Sequence, residues 1–164
     1  MSAYEIYIAY ATIVRKEIQR FMRIWVQTLL PPSIIMVLYF IIFGNLIGTR
    51  IGQMGGFDYM QFIVPGLIMM SVITNSYGNV VSSFYSTKYQ GSLEEMLVSP
   101  MPNWVILAGY ITGGVARGLA VGTIVTSLSL FFTQLEIYNL GIIVLVVLMT
   151  SILFSLGGFI NAVF

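Results

Sequence analysis

The sequence predicts an all-α membrane protein, a polytopic bundle of four transmembrane helices preceded by an amphipathic helix. Apolar residues make up 58% of the chain and charged residues only 8%, whereas soluble domains carry about 25% charged residues. Hydrocarbon forces the backbone hydrogen bonds to close within helices or a closed barrel. The apolar stretches run unbroken beyond the roughly 20 residues that a spanning helix needs, without the alternating polarity of barrel strands.

Four stretches almost free of charge define the predicted spans. They cover residues 24–48, 59–87, 103–132 and 138–164. The third is predicted to begin at Asn103, because Pro100 and Pro102 end any earlier helix and Asn103 is a suitable N-cap. Arg117 is the one charged residue inside a span.

The segment before the first span, residues 4–21, has the spacing of an amphipathic helix. One side carries apolar or small residues (Tyr7, Ala11, Val14, Ile18 and Phe21), and the other carries polar and basic ones (Lys16, Gln19, Arg20 and Arg23). Such a helix lies in the membrane interface with its basic side toward anionic headgroups. The alternative is a basic flank that only sets the topology.

The positions of the lysines and arginines predict the orientation, since short cytoplasmic loops are enriched in them. Four cations precede the first span and Lys88 follows the second, whereas only Arg50 lies between the first and second spans. We therefore expect a cytoplasmic N-terminus, an external loop from Thr49 to Asp58, a cytoplasmic segment from Lys88 to Asn103 and an external turn from Gln134 to Tyr138.

The segment between spans two and three predicts a short amphipathic helix over residues 91–99. Ser92 and Glu95 have the spacing of a capping box, and Pro100 ends the helix. Leu93, Met96 and Leu97 share one face. The exposed acids Glu94 and Glu95 would suit docking to a basic groove on a soluble partner; the alternative is a solvated connector.

Polar residues in the spans are the candidates for a translocation route. Span two carries Ser71, Asn75, Asn79, Ser82 and Ser86 at steps of three or four residues, which predicts a shared face. This face either forms hydrogen bonds between helices or lines a pathway.

Arg117 lies near the predicted midplane of the membrane, where an arginine costs about 2.5–3.5 kcal/mol on insertion scales. It must therefore face a hydrated route or an anionic group, or pair with a buried partner. Asn75 and Asn79 are candidate partners.

Two glycine ladders predict close helix packing. One consists of Gly44, Gly48 and Gly52, and the other of Gly114, Gly118 and Gly122.

Several kinds of chemistry are excluded by composition. The chain has no cysteine and no histidine, so neither a thiolate nor an imidazole is present as a metal ligand or catalytic group. A phosphate-binding Gly-x-x-x-x-Gly-Lys motif is also missing, and a net charge of +1 gives no reason to expect nucleic acid binding. The acids, Glu17 among them, are predicted to fall outside the spans or at their ends, which argues against proton coupling. We assign no catalytic, cofactor-binding or metal-binding residue.

The sequence resembles the permeases of the ABC-2 type transporter family. The resemblance is carried by the run Gly91-Ser-Leu-Glu-Glu-Met-Leu-Val-Ser-Pro100, by Trp104-Val-Ile-Leu-Ala-Gly109, by Pro31-Pro32 and by the apolar start of span two from Tyr59 to Met70. It covers essentially the whole chain.

The resemblance implies a membrane subunit of an ATP-binding cassette exporter in the bacterial inner membrane. Residues 4–21 would be its connecting helix and residues 91–99 its ATPase-coupling helix, with coupling contributed by Gly91, Leu93, Glu94, Glu95, Leu97, Ser99 and Pro100. It also implies a homodimer bound to separate ATPase subunits, which hold ATP and magnesium. Family permeases have six spans, so we expect the four spans here to be the first part of such a permease. The alternatives are a non-transporting scaffold or assembly subunit and, least favoured, a secondary transporter.

Overall fold

The computed structural model describes residues 2–48, 50, 52–54, 56–134 and 138–164. Its main helices are α1 (Ala3–Arg23), α2 (Trp25–Thr28), α3 (Leu30–Ile41), α4 (Tyr59–Tyr89), α5 (Ser92–Val98), α6 (Asn103–Ser129) and α7 (Leu140–Val163). A wider π-type helix, Ile42–Gly48, continues α3. A short antiparallel pair, β1 (Gln53–Met54) and β2 (Phe57–Asp58), leads into α4; the sequence did not predict this pair.

Among the described residues, four helical segments are long and apolar enough to cross a membrane. They are Trp25–Gly48, Tyr59–Tyr89, Asn103–Ser129 and Leu140–Val163. The prediction of an all-α membrane protein with four spans is confirmed. Residues 49, 51 and 55 of the predicted external loop and residues 135–137 of the predicted external turn lie outside the described residues.

Two predicted helix caps are wrong. Asn103 is already inside α6, whose N-cap is Pro102, and no side chain caps that end. Helix α5 begins after Gly91, which has a left-handed φ of 74°, a conformation that glycine adopts without steric cost. The chain thus turns directly from α4 into α5, and the Ser92 hydroxyl donates back to the Thr87 carbonyl instead of forming the predicted capping box.

A tight elbow joins α1 to the first span through α2. The buried Thr28 hydroxyl lies 3.0 Å from the Phe21 carbonyl and 3.2 Å from the Ile24 carbonyl, so it ties the end of α1 to α2. Pro31 and Pro32 follow in the first turn of α3, where a missing N–H leaves no helical hydrogen bond unmade.

Glycines set the distance between α6 and its neighbours. A Cβ at Gly114 would meet Val80 at 2.5 Å, and one at Gly118 would collide with Ser76, both on α4. The second ladder therefore packs as predicted. The first ladder fails at Gly52, which has a φ of 73° and no neighbour within 4 Å of an added Cβ among the described residues.

The core consists of two apolar clusters, one toward each end of the bundle. The first includes Ile13, Val80, Phe84, Val105, Ile106, Tyr110 and Ala162. The second includes Met36, Phe40, Met60, Val64, Val121 and Val125. Helix α1 thus packs against one end and α3 against the other.

The outward faces of α3 and α7 are apolar, as expected for helices in contact with lipid. On α7 the small residues Ser151, Ser155, Gly158 and Ala162 are buried, whereas Leu145, Met149 and Leu153 are exposed. Small residues on the packed side allow close approach of helix backbones.

Helix α1 has a different buried face from the one predicted. Tyr7 is 67% exposed and Ile18 is also exposed, and the buried residues are Ile13, Glu17 and Phe21. The helix therefore has an outer side with exposed apolar side chains and an inner side that packs into the bundle.

Candidate functional site

A buried polar cluster joins α1 to α4 and α6. Glu17 of α1 is fully buried, with 0% exposure. The Ser83 hydroxyl donates to its Oε1 at 2.6 Å, and an Arg20 guanidinium nitrogen lies 3.4 Å from its Oε2. Beneath it lies Gly113 of α6, where an added Cβ would come within 2.6 Å of the Glu17 Cβ. The absence of a side chain at Gly113 thus makes room for the carboxylate.

Arg20 extends this cluster to Asn79 of α4. One of its terminal nitrogens donates to the Asn79 Oδ1 at 2.8 Å and to the Asn79 carbonyl at 3.2 Å. Asn79 has 0% exposure. Because its Oδ1 accepts from Arg20, its Nδ2 is left as a donor, and this nitrogen has no partner among the described residues.

Two hydroxyl pairs tie the same three helices together. Tyr10 of α1 pairs with Thr112 of α6 at 2.8 Å. Thr87 of α4 pairs with Tyr110 of α6 at 2.9 Å. Polar side-chain contacts therefore link α1 to the membrane-spanning helices α4 and α6.

Glu17 lies outside the four spans, as expected, but its burial between helices was not predicted. The signal was present in the sequence, since Ile13, Glu17 and Phe21 are four residues apart and so lie on one helical line. The predicted apolar side included Phe21 but neither Ile13 nor Glu17, so this line was not predicted to be buried.

Arg117 lies one turn after Gly113 on α6 and is half-buried. Its Nε is buried without a hydrogen-bond partner in the described part of the chain. Neither expected asparagine supplies one. The Asn79 Oδ1 accepts from Arg20, and the Asn75 Nδ2 donates within its own helix to the Ser71 carbonyl at 3.0 Å.

The polar stripe of the second span divides into two parts. Ser71, Asn75 and Asn79 are buried between helices, whereas Ser82 and Ser86 are exposed. The five residues keep one helical face by their spacing, and only their burial differs along the helix. Whether Ser71, Asn75, Asn79, Ser82 and Arg117 line a translocation route stays a prediction.

Helix α5 packs by one side and presents acids on the other. Leu93 and Met96 contact the first apolar cluster, while Glu94 and Glu95 are exposed. Leu97, predicted on the packed face, is 55% exposed. The Ser99 hydroxyl donates to the Met96 carbonyl at 2.7 Å, which closes the last turn before the exposed Pro100.

Two grooves lie at this end of the bundle. An apolar groove of about 520 Å³ runs between α5 and the ends of α4, α6 and α7, lined by Phe84, Leu93, Leu97, Trp104 and Phe159 among others. A basic groove of about 470 Å³ follows α1 and is lined by Thr12, Arg15, Lys16, Gln19, Arg20, Arg23 and Ile24. Arg20 belongs both to the basic groove and to the buried cluster.

Four apolar spans, an amphipathic helix packed across two of them and a short acidic helix between spans define a polytopic helical membrane protein. The family model for "ABC-2 type transporter" matches residues 8–164, and the chain belongs to this family.

Named relatives show high similarity. The chain is 61% identical over 158 residues to the inner membrane transport permease YadH of Escherichia coli (strain K12), and equally to proteins of that name in Escherichia coli O157:H7 and Shigella flexneri. Each alignment covers 96% of this chain and 62% of the relative, so the chain spans less than two thirds of the length of these curated relatives. No solved structure shows significant similarity.

Proposed function

We propose that this chain forms membrane-spanning helices of a transport permease in the bacterial inner membrane, powered by a separate ATPase subunit. ATP and magnesium bind to that ATPase, and the permease works as a homodimer with two copies of it. Membership of the ABC-2 type transporter family and the printed name of the relatives support this function. Export is the direction of transport.

The observation that carries the proposal is the build of α5. This helix connects two spans, packs on the bundle through Leu93 and Met96, and leaves Glu94 and Glu95 exposed. A docking element needs both properties, because it must bind a partner on one side and pass the partner's motion to the spans on the other. Gly91, Ser99 and Pro100 define its two ends.

The distribution of charge supports a cytoplasmic position for α5. Helix α1 bonds to Asn79 and Ser83, in the half of α4 that ends at Lys88, so Arg20 and its neighbours on α1 lie nearer to Lys88 than to Arg50. Arg50 precedes α4 at the other end. Cytoplasmic loops are enriched in lysine and arginine, which favours a cytoplasmic N-terminus.

Charge reversal on α5 tests the proposal. In the full-length permease, replacing Glu94 and Glu95 together by lysine should reduce co-purification of the cognate ATPase and abolish stimulation of its ATP hydrolysis. Like charges placed against a basic docking groove repel it. Both side chains are exposed, so the variant should keep the wild-type melting temperature.

Asp58→Lys serves as the control, since Asp58 is an exposed acid at the opposite end of α4 from α5 and its side chain makes no capping hydrogen bond. It should leave ATPase association unchanged. Association and stimulation at wild-type levels in the α5 variant would remove the docking role and favour a scaffold function.

A further inference from the structure

The cluster around Asn79 contains more hydrogen-bond donors than acceptors. Three buried nitrogens lack a partner within the described residues: the Nε atoms of Arg20 and Arg117 and the Nδ2 of Asn79. The cluster holds two guanidinium groups and one carboxylate, that of Glu17, so its net charge is +1. Unpaired donors and an uncompensated charge away from water are both costly.

The side chains of Arg20, Asn79 and Arg117 lie at the boundary between α1, α4 and α6, which we call the seam. Gly113 contacts Glu17, and Gly118 contacts Ser76 of α4. Arg117 lies between these two glycines in angle around α6, so it points between α1 and α4.

The seam connects to the surface through Arg20. This residue is 30% exposed in its side chain and also lines the basic groove, where Arg15, Lys16 and Arg23 add three more cations. The same helix also carries exposed apolar side chains, Ile8 and Met22 among them. A positive groove on a helix that also exposes apolar side chains has the chemistry of the lipid headgroup region.

The length of α4 indicates how deep the cluster lies in the membrane. Helix α4 has 31 residues, which makes it about 46 Å long, and it therefore exceeds a hydrocarbon core of about 30 Å. Asn79 lies roughly ten residues, or about 15 Å, before the end of α4. With α4 centred on the hydrocarbon core, Asn79 therefore lies about 7 Å inside its border, a depth that a headgroup reaches along the basic groove.

We propose that the seam between α1, α4 and α6 binds the phosphate group of an anionic lipid. The headgroup enters along the basic groove, and Arg20, Asn79 and Arg117 donate to its oxygens. Binding needs neither nucleotide nor the ATPase subunit, so it can be tested apart from transport.

Lipid binding to the purified full-length permease tests this site. Wild-type protein in detergent should bind phosphatidylglycerol in native mass spectrometry and bind phosphatidylcholine much less. Arg117→Gln should weaken phosphatidylglycerol binding about tenfold, the effect of losing one charge-assisted hydrogen bond. Without lipid this variant should fold normally, because it removes a buried cation whose Nε has no acceptor among the described residues.

Arg50→Gln is the matched control, since it removes one exposed positive charge at the other end of the bundle; it should leave the affinity unchanged. If millimolar inorganic phosphate displaces phosphatidylglycerol, the site binds a free anion and the proposal is overturned. If phosphate does not compete, the site binds a lipid headgroup, as proposed. Equal binding of the two lipids, or equal losses in the Arg117 and Arg50 variants, would overturn the proposal.

Discussion

Glu17 is a charged residue of an amphipathic helix, yet the fold buries it completely. Its spacing from Ile13 and Phe21 places it on a buried line, and its charge is matched there by Arg20 and by the Ser83 hydroxyl. A buried carboxylate is retained only where such partners exist. The partners come from the same helix and from a helix distant in sequence, so the sequence pattern of α1 alone does not reveal the pairing.

Removing the carboxylate should destabilise the packing of α1. Glu17→Ala leaves Ser83 without its acceptor and Arg20 without its ion pair, and it opens a gap beside Gly113. We expect a loss of about 2 kcal/mol, less than for a fully buried pair because Arg20 is partly exposed. The measurement is reversible unfolding in mixed micelles, followed by circular dichroism.

Gln19→Ala provides the comparison, because Gln19 is on the same helix and is exposed; surface changes of this kind usually fall within about 0.5 kcal/mol. If the two variants unfolded alike, the Glu17 pairing would contribute nothing measurable to the native state.

At the scale of elements, the sequence predicted the features that depend on local composition. The four spans follow from apolar length and charge, and their existence is confirmed by the helices found. Capping at Ser92 and Asn103 was predicted wrongly, because a glycine turn at Gly91 and a proline at residue 102 determined where the helices begin. The exposure of Ser82 and Ser86 also depends on which neighbour packs against α4, which no periodicity encodes.

The candidate sites were predictable to different degrees. The position of α5 and its acids could be located from the sequence, because turns and prolines delimit that segment. Arg117 was identified as unusual from its place in a span. Its neighbourhood could not be derived, since Arg20 and Asn79 come together only through packing between helices far apart in the chain.

Contact between α7 and α4 supplies a test of helix packing. A Cβ at Gly158 would come within 2.7 Å of the Tyr77 carbonyl oxygen, a backbone atom that cannot rotate away. Gly158→Ala should therefore separate the two helices and destabilise the fold by about 1–3 kcal/mol, read as a lower melting temperature in detergent.

The adjacent residue provides the control. Gly157 has no neighbouring atom within 4 Å of an added Cβ in the part of the chain that the structure describes, so Gly157→Ala should be neutral or slightly stabilising through helix propensity. A melting temperature lowered equally by both alanines would contradict the packing between α7 and α4.

The whole molecule has its polar contacts inside and its apolar side chains outside. Buried polar residues such as Glu17, Asn79 and Ser151 contrast with exposed apolar residues on α3 and α7. This distribution suits a hydrocarbon surrounding, in which apolar contact with lipid is free of penalty and polar groups must pair within the protein.

The chain contains no cysteine, so single-cysteine variants can determine its orientation without background labelling. Gln90 and Phe57 are exposed at opposite ends of α4. With a cytoplasmic N-terminus, a membrane-impermeant maleimide should label Phe57→Cys in spheroplasts and label Gln90→Cys only in inverted membrane vesicles. The opposite labelling pattern would reverse the proposed topology.

The hydrogen bonds of α1 also impose an order on biogenesis. Its partners Asn79, Ser83 and Thr112 lie 59, 66 and 102 residues further along the chain than the residues they bind. At about 5–20 residues per second, the ribosome delivers them several seconds after α1 has emerged. During that interval Glu17 and Arg20 must remain hydrated at the membrane surface, and they become enclosed only when the third span has inserted. The amphipathic character of α1 therefore stabilises the helix at the membrane surface during synthesis, whereas its buried ion pair stabilises the finished fold.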